Sequence, residues 1–275
     1  MTTIGTRNVL ITGGAGGIGR LMALKMAALG AGVAIWDIAE QRLPAVVDEL
    51  KTAGARDAQG FVCDVSDREA VYRAAAETTA SFGAVDILVN NAGVVSGKLL
   101  LEIADEQIER TFKINALALF WTAKAFLPAM VERGSGHIVT IASAGGLIGV
   151  PKQSDYGASK HAAVGFDEAL RNELRRSAPG VITTVVCPSY IDTGMFAGAT
   201  TRFSLLLPIL HEQDVADRVV KAIQLNRRQV LMPPLVRTVP LMRMLPVSVF
   251  DWIADFLGVT RSMDEFTGRE GTPAD

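Results

Sequence analysis

The apolar run NVLIT at 8–12 ends in the glycine cluster TGGAGGIG at 12–19, which opens directly into the helix-periodic stretch LMALKMAAL at 21–29. Strand, glycine turn and helix in that order is a demanding combination. Glycines suit it because the turn is tight, the backbone must come close to a phosphate, and a helix N-terminus must aim its free N–H groups at an anion. A plain flexible turn is the alternative, and the strand–turn–helix context is what weighs against it.

The pattern then recurs. GVAIWD (32–37) reads as a second strand ending in Asp37, eighteen residues past Gly19, and a helix is expected over 39–53. A carboxylate there can accept hydrogen bonds from an adenosine ribose and repels a 2′-phosphate, or it caps the following helix. AQGFVCD (58–64) reads as a strand ending in Asp64, with a helix over 66–83 that Ser66 would cap. Asp64 could meet an adenine edge or take part in that cap. VDILVNNAG (85–93) is an almost continuous apolar strand, of the kind covered on both faces, with a polar exit at Asn90–Gly93. Residues 105–133 read as one long helix with Asn115 in its apolar interior. A buried asparagine is costly unless its amide is satisfied, so it has a structural or a catalytic partner.

A strand over 136–142 leads to Ser143, and a helix over 154–177 carries Tyr156 and Lys160. Positions i and i+4 share a helix face, so phenol and ammonium would project side by side. A nearby cation lowers a tyrosine pKa from about 10, which lets the phenol exchange a proton with an alcohol or carbonyl near neutral pH. Tyr-x-x-x-Lys alone describes many solvated helix faces; its surroundings give it meaning. VITTVVCP (181–188) is a further strand. The stretch 189–210 has no clean period and reads as an apolar substrate lid bearing Tyr190, Met195, Phe196, Phe203, Leu205, Leu206 and Leu207. A helix over 211–223 and a last strand at 229–234 follow. Together these alternations predict an α/β fold, a single domain over 1–275 built on a doubly wound parallel sheet of about seven strands.

Composition limits what such a domain would do. Lys and Arg number 27 against 29 Asp and Glu, for a net charge of −2, and no basic block suggests nucleic acid as a partner. Cys63 and Cys187 sit in apolar segments and His137, His161 and His211 are scattered, so neither a disulfide nor a metal site is expected. The N-terminal stretch shows no charged-then-apolar secretory segment, which points to a cytoplasmic protein. The apolar extension VRTVPLMRMLPVSVFDWIADFLGV (236–259) is broken by Pro240, Pro246, Arg237 and Arg243, which argues against a membrane span. Within it a helix over 247–257 must bury its apolar face against its own subunit, a second copy or a lipid surface. The tail from 267 to 275 is expected to fray.

The glycine loop, Asn90-Asn91-Ala92-Gly93, Asn115, Ser143, Tyr156-Gly-Ala-Ser-Lys160 and Pro188 to Thr193, in this order, resemble the short-chain dehydrogenase/reductase family over nearly the whole chain. One departure is Pro188-Ser189, where the family usually has Pro-Gly. The resemblance implies a Rossmann-type fold and a catalytic tetrad of Asn115, Ser143, Tyr156 and Lys160, with Tyr156 as acid or base, Ser143 on the reacting oxygen, Lys160 as pKa partner and ribose ligand, and Asn115 anchoring a relay water. It also implies nucleotide contacts at Gly13, Gly17, Ile18, Gly19, Asp37, Asp64, Val65, Asn91, Ala92, Gly93, Tyr156, Lys160, Pro188, Ile191 and Thr193. Trp36-Asp37-Ile38 and the MDEFTGR run (263–269) are similar to the branch with retinol and 17β-hydroxysteroid dehydrogenases.

From these features we expect an NAD-dependent oxidoreductase for a hydrophobic alcohol or ketone, a retinoid, steroid or similar lipid. A homodimer or homotetramer is expected through helices 105–133 and 154–177, with possible peripheral membrane contact through 236–259. A 3-oxoacyl-type or small-alcohol reductase and a catalytically silent NAD-binding regulator are the alternatives. Asp37 speaks against the usual NADPH of the first, the complete tetrad against the second.

Overall fold

The structure, a computed structural model, describes residues 1–268. β1 (Asn8–Thr12), α1 (Gly17–Ala28), β2 (Gly32–Asp37), α2 (Leu43–Thr52), β3 (Asp57–Val62), α3 (Arg68–Phe82) and β4 (Ile87–Asn90) make the first half. The second half is α4 (Asp105–Phe112), a π-helical turn (Lys113–Leu117), α5 (Ala118–Glu132), β5 (Gly136–Ile141), α6 (Ser154–Ser177), β6 (Val181–Pro188), α7 (Glu212–Gln224) and β7 (Gln229–Met232). The short helices α8 (Val239–Met242) and α9 (Val247–Phe256) follow.

All seven strands are parallel, in the order β3-β2-β1-β4-β5-β6-β7. Alternate strand residues feed two cores, as a period of two requires. Val9, Ile11, Val33, Ile35, Val89 and Val139 pack under α1, α2 and α7. Leu10, Ala34, Trp36, Leu88 and Ile138 pack under α3, α5 and α6. The chain order reverses between β1 and β4, which opens a crevice at their carboxyl ends, where open α/β sheets bind ligands.

Several boundaries differ from the sequence-based expectation. β3 ends at Val62, so Cys63 and Asp64 belong to the loop, and the cap of α3 is Asp67, whose carboxylate accepts from the Glu69 N–H; Ser66 is not the cap. Asp64 accepts from the N–H and hydroxyl of Ser66 in a tight local turn. The expected helix over 39–53 begins with a single 3₁₀ turn, and α2 itself starts at Leu43. The expected long helix over 105–133 is interrupted by the π turn at Lys113–Leu117, which holds Asn115. One wide turn inside a helix is a common mark of a functional position, because it redirects a side chain without ending the helix. The composite helix Asp105–Glu132 is long and apolar enough to cross a membrane, but half of that apolar window is buried against the rest of the chain.

α6 matches its expected span at both ends. The 236–259 extension folds into separate short helices, the longest of 10 residues, far short of the roughly 20 that a span needs. Of the tail expected to fray, Thr267 and Gly268 are tied by their N–H groups to the Ala197 carbonyl, and the rest lies outside the described residues.

Candidate active site

The glycine loop leaves β1 with Gly13 at φ 64° and enters α1 with Gly17 at φ 49°, conformations that side chains with a Cβ rarely adopt. Gly19 has no room for a Cβ, which would overlap the Gly13 carbonyl and press on the Asn91 amide. That amide donates to the carbonyls of Thr12 (2.9 Å) and Gly13 (3.1 Å). In return the Thr12 hydroxyl accepts from the N–H groups of Asn91 and Ala92. Asn91 therefore braces the loop against the exit of β4. Thr12, which the sequence reading did not single out, completes that brace.

Asp37 stands at the end of β2 with both carboxylate oxygens engaged, one by the Ala15 N–H and one by the Ala39 N–H, each at 2.9 Å. It holds the glycine loop and does not cap α2. Gly13, Gly17, Ile18, Asp37, Asp64, Val65, Asn91, Ala92 and Gly93 all line one cleft of about 460 Å³, and Tyr156, Lys160, Pro188, Ile191 and Thr193 close its far end. Gly19 lies behind it, as a packing position.

The catalytic candidates meet where this cleft touches a second, apolar cavity; Ser143, Ser189 and Phe196 line both. Ser143 lies two residues beyond β5, where its Oγ accepts from the Gly145 N–H (3.0 Å) and faces the Pro188 carbonyl (3.4 Å). Tyr156 is buried in the first turns of α6, with Phe196 of the lid edge-on to its ring at 5.6 Å. Lys160, one turn later, donates to the Ile141 carbonyl at 2.8 Å and lies 5.8 Å from the centre of the Tyr156 ring.

Asn115 accepts from the Val94 N–H, and its amide donates to the Val94 carbonyl and the Ser159 hydroxyl at 2.9 and 3.0 Å. Both its N–H groups are thus taken by protein, and its Oδ1 lies on the Gly93 side. A Cβ on Gly93 would stand 3.3 Å from that oxygen and 3.4 Å from the Lys160 ammonium, so glycine lets the two groups converge. Asp155, just before Tyr156, is buried and accepts from Ser96 and Thr111, which ties α6 to α4 and to the loop after β4. Ser159, Val94 and Asp155 escaped the sequence reading because the pairings that give them meaning span 21 to 59 residues.

Electrostatics departs from the simple i,i+4 picture. Burial pushes the Tyr156 phenol up to about 12, and the hydrogen bond from Ser143 recovers only part of that. Burial pushes Lys160 down to about 8. The expectation that Lys160 lowers the phenol below its ordinary value is not met in the protein's own field: both groups pay desolvation, and the ammonium turns toward a carbonyl.

A parallel sheet whose reversal point carries a glycine-lined cleft, with serine, tyrosine and lysine at its end, defines a nucleotide-dependent α/β enzyme. Residues 7–202 match the family model for short chain dehydrogenase. Epidermal retinol dehydrogenase 2 of Mus musculus is 42% identical, over 95% of this chain and 85% of the relative. Estradiol 17-beta-dehydrogenase 11 of Homo sapiens is 43% identical, over 82% of this chain and 74% of the relative. Among solved structures, a short chain dehydrogenase/reductase from Burkholderia phymatum in complex with NAD superposes with a TM-score of 0.79 at 31% identity, covering 89% of this chain and 95% of that one. A metagenomic short-chain oxidoreductase in complex with NADP gives 0.70 at 29% identity, covering 84% and 97%. The chain belongs to the short-chain dehydrogenase/reductase family. It is an oxidoreductase acting on CH–OH groups.

Proposed function

We propose that this protein transfers hydride between NAD(H) and a bulky apolar alcohol or ketone of retinoid or steroid type. The observation that carries the reading is the meeting of Ser143, Tyr156 and Lys160 at the junction of a dinucleotide-sized cleft and an apolar cavity. The cleft fits the dinucleotide on its own terms: glycines at positive φ leave the backbone bare, the N-terminus of α1 offers free N–H groups, and Asp37 offers carboxylate oxygens where an adenosine ribose would lie. When bound, the nicotinamide supplies the hydride acceptor or donor.

The remaining chemistry belongs to the chain. Tyr156 takes the hydroxyl proton in oxidation and returns one in reduction; Ser143 hydrogen-bonds the reacting oxygen and steadies its developing charge. Lys160 supplies a positive charge behind the phenol and a donor to the nucleotide ribose. Asn115 holds Val94 and Gly93 against Lys160 and offers its Oδ1 to a relay water.

Apolar residues dominate the substrate side. Ile148, Val150, Phe196 and Leu207 from the loops meet Val236, Val239 and Leu257 from the C-terminal part. Of the expected lid residues, Leu205 and Leu206 instead face outward. Ala254 of α9 and Leu257 just past its end line the cavity, while Val247, Val249, Trp252 and Phe256 of α9 are exposed, as are Leu241 and Met244 earlier in the extension. An apolar outer surface on the elements that wall an apolar cavity suits substrate delivery from a lipid surface. We expect kcat/KM for long-chain or polycyclic alcohols to exceed that for short polyols by about 100-fold or more. A preference for polyols refutes the substrate class. Co-sedimentation with anionic liposomes, weakened by Trp252→Ser with Met244→Ser, tests the membrane part separately.

For the oligomer expected through helices 105–133 and 154–177, the support is one exposed surface shared by α5 and α6. Leu119 is buried in the small core with Ala163 and Val185, and Trp121 packs against the core under α3 and α5, but Leu117 and Phe120 are exposed, as are Ala158, Ala162 and Gly165 of α6. Phe120 rests edge-on against Phe166 of α6 at 4.7 Å, so the two helices present one face. Light scattering should show a dimer or tetramer at micromolar concentration, and Phe120→Asp should dissociate it; a wild-type monomer counts against this interface.

A further inference from the structure

The apolar cavity measures about 90 Å³, well below the roughly 300 Å³ at which ligand pockets begin. A bulky substrate therefore requires the cavity wall to move, and the structure indicates what resists that movement. Residues Ser262–Gly268 lie across three loops from the carboxyl edge of the sheet. Ser262 is buried; its hydroxyl pairs with the Tyr190 hydroxyl at 2.7 Å, and its carbonyl accepts from the Thr200 N–H at 2.9 Å. The Thr267 N–H donates to the Ala197 carbonyl at 2.9 Å. Lys152, from the loop after β5, donates to the Asp264 carbonyl at 3.0 Å. Tyr190 also accepts a long contact from Gln153, the residue just before α6, at 3.4 Å.

Two glycines serve as seats. Gly198 in the lid has φ 82°, and a Cβ there would overlap the Glu265 carbonyl. Gly97 in the loop after β4 has φ 68°, and a Cβ would overlap the Phe266 ring. Positive φ and missing space coincide at both, so each is a position where only glycine allows the segment to lie down.

We propose that Ser262–Gly268 is a clamp that sets substrate bulk: it holds the 189–210 lid against the loops after β4 and β5, and must loosen before a bulky alcohol can occupy the cavity. The clamp, not the catalytic groups, then decides how freely large substrates enter. This rests on the substrate class proposed above, but its own contacts can be tested without turnover.

Gly198→Ala and Gly97→Ala unseat the clamp by crowding; Ser262→Ala removes its hydroxyl link to Tyr190 with little change of shape. Each variant would be assayed with the series of secondary alkanols from butan-2-ol to dodecan-2-ol, with NADH binding followed by fluorescence. The expected result is a rise of about tenfold in the kcat/KM ratio of the longest to the shortest alcohol in the glycine variants, a smaller rise in Ser262→Ala, and an NADH Kd within about twofold of wild type. An unchanged or lower ratio overturns the clamp. Backbone hydrogen exchange supplies the second readout: unseating should speed exchange in 262–268 and in 189–210 together, whereas faster exchange confined to 262–268 overturns the coupling even if the glycine variants lose activity. Should the wild type turn over none of these alkanols, exchange decides the clamp by itself, while the comparison with polyols above decides the substrate class.

Discussion

Tyr156→Phe is expected to reduce turnover by about 1,000-fold, roughly 4 kcal/mol of transition-state stabilisation, while NADH binding stays within a few-fold of wild type. The substitution keeps the ring, which is buried and packs against Phe196, and removes only the hydroxyl that Ser143 faces. Packing is therefore preserved, and the loss reports on proton transfer. Burial gives the expectation a pH signature. A phenol pushed up to about 12 is protonated throughout the neutral range, which suits it as the acid in reduction. Oxidation needs the phenolate, whose fraction grows tenfold per pH unit below the pKa. Oxidation kcat/KM should accordingly rise between pH 7 and pH 10 in wild type, and Tyr156→Phe should abolish that slope. Retention of more than a few per cent of wild-type activity would remove Tyr156 from its proposed role.

The second large effect concerns the nucleotide. The proposed NAD preference rests on Asp37, whose oxygens accept from the Ala15 and Ala39 N–H groups at the cleft wall, where its charge would oppose a 2′-phosphate. Ile38 beside it is exposed, and Arg42 lines the same part of the cleft. Asp37→Asn combined with Ile38→Arg should raise the NADP-to-NAD ratio of kcat/KM by about 100-fold. The reason is that a charged hydrogen-bond acceptor for the ribose, worth roughly 1.5–3 kcal/mol, is lost while a like-charge clash is replaced by attraction. Wild-type protein that already prefers NADPH would show that the carboxylate does not set the choice. Equilibrium titration with ADP and with its 2′-phosphorylated form should give the same ordering without catalysis.

These outcomes bear on features whose legibility in the sequence differs. Strands one to seven and the position of the glycine loop follow from local signals: apolar runs of strand length, helical periodicity between them, and glycines at a strand-to-helix turn; the reversal of strand order at β1 and β4 is set by tertiary pairing alone. Such signals are local because the hydrogen bonds of helices and the φ demands of tight turns are satisfied within a few residues. Tyr156 and Lys160 are legible for the same reason, since one helical turn sets their spacing. Only the tertiary structure determined how they behave. Enclosure by the lid and by β5 raises the phenol and lowers the ammonium, so desolvation outweighs the i,i+4 neighbour. The π turn at Asn115, the bond from Asn91 back to the glycine loop and the seating of residues 262–268 against Gly97 and Gly198 could not be read along the chain either. In each of them the partners are distant in sequence, and a side chain's hydrogen bonds and burial are decided by what the fold brings against it.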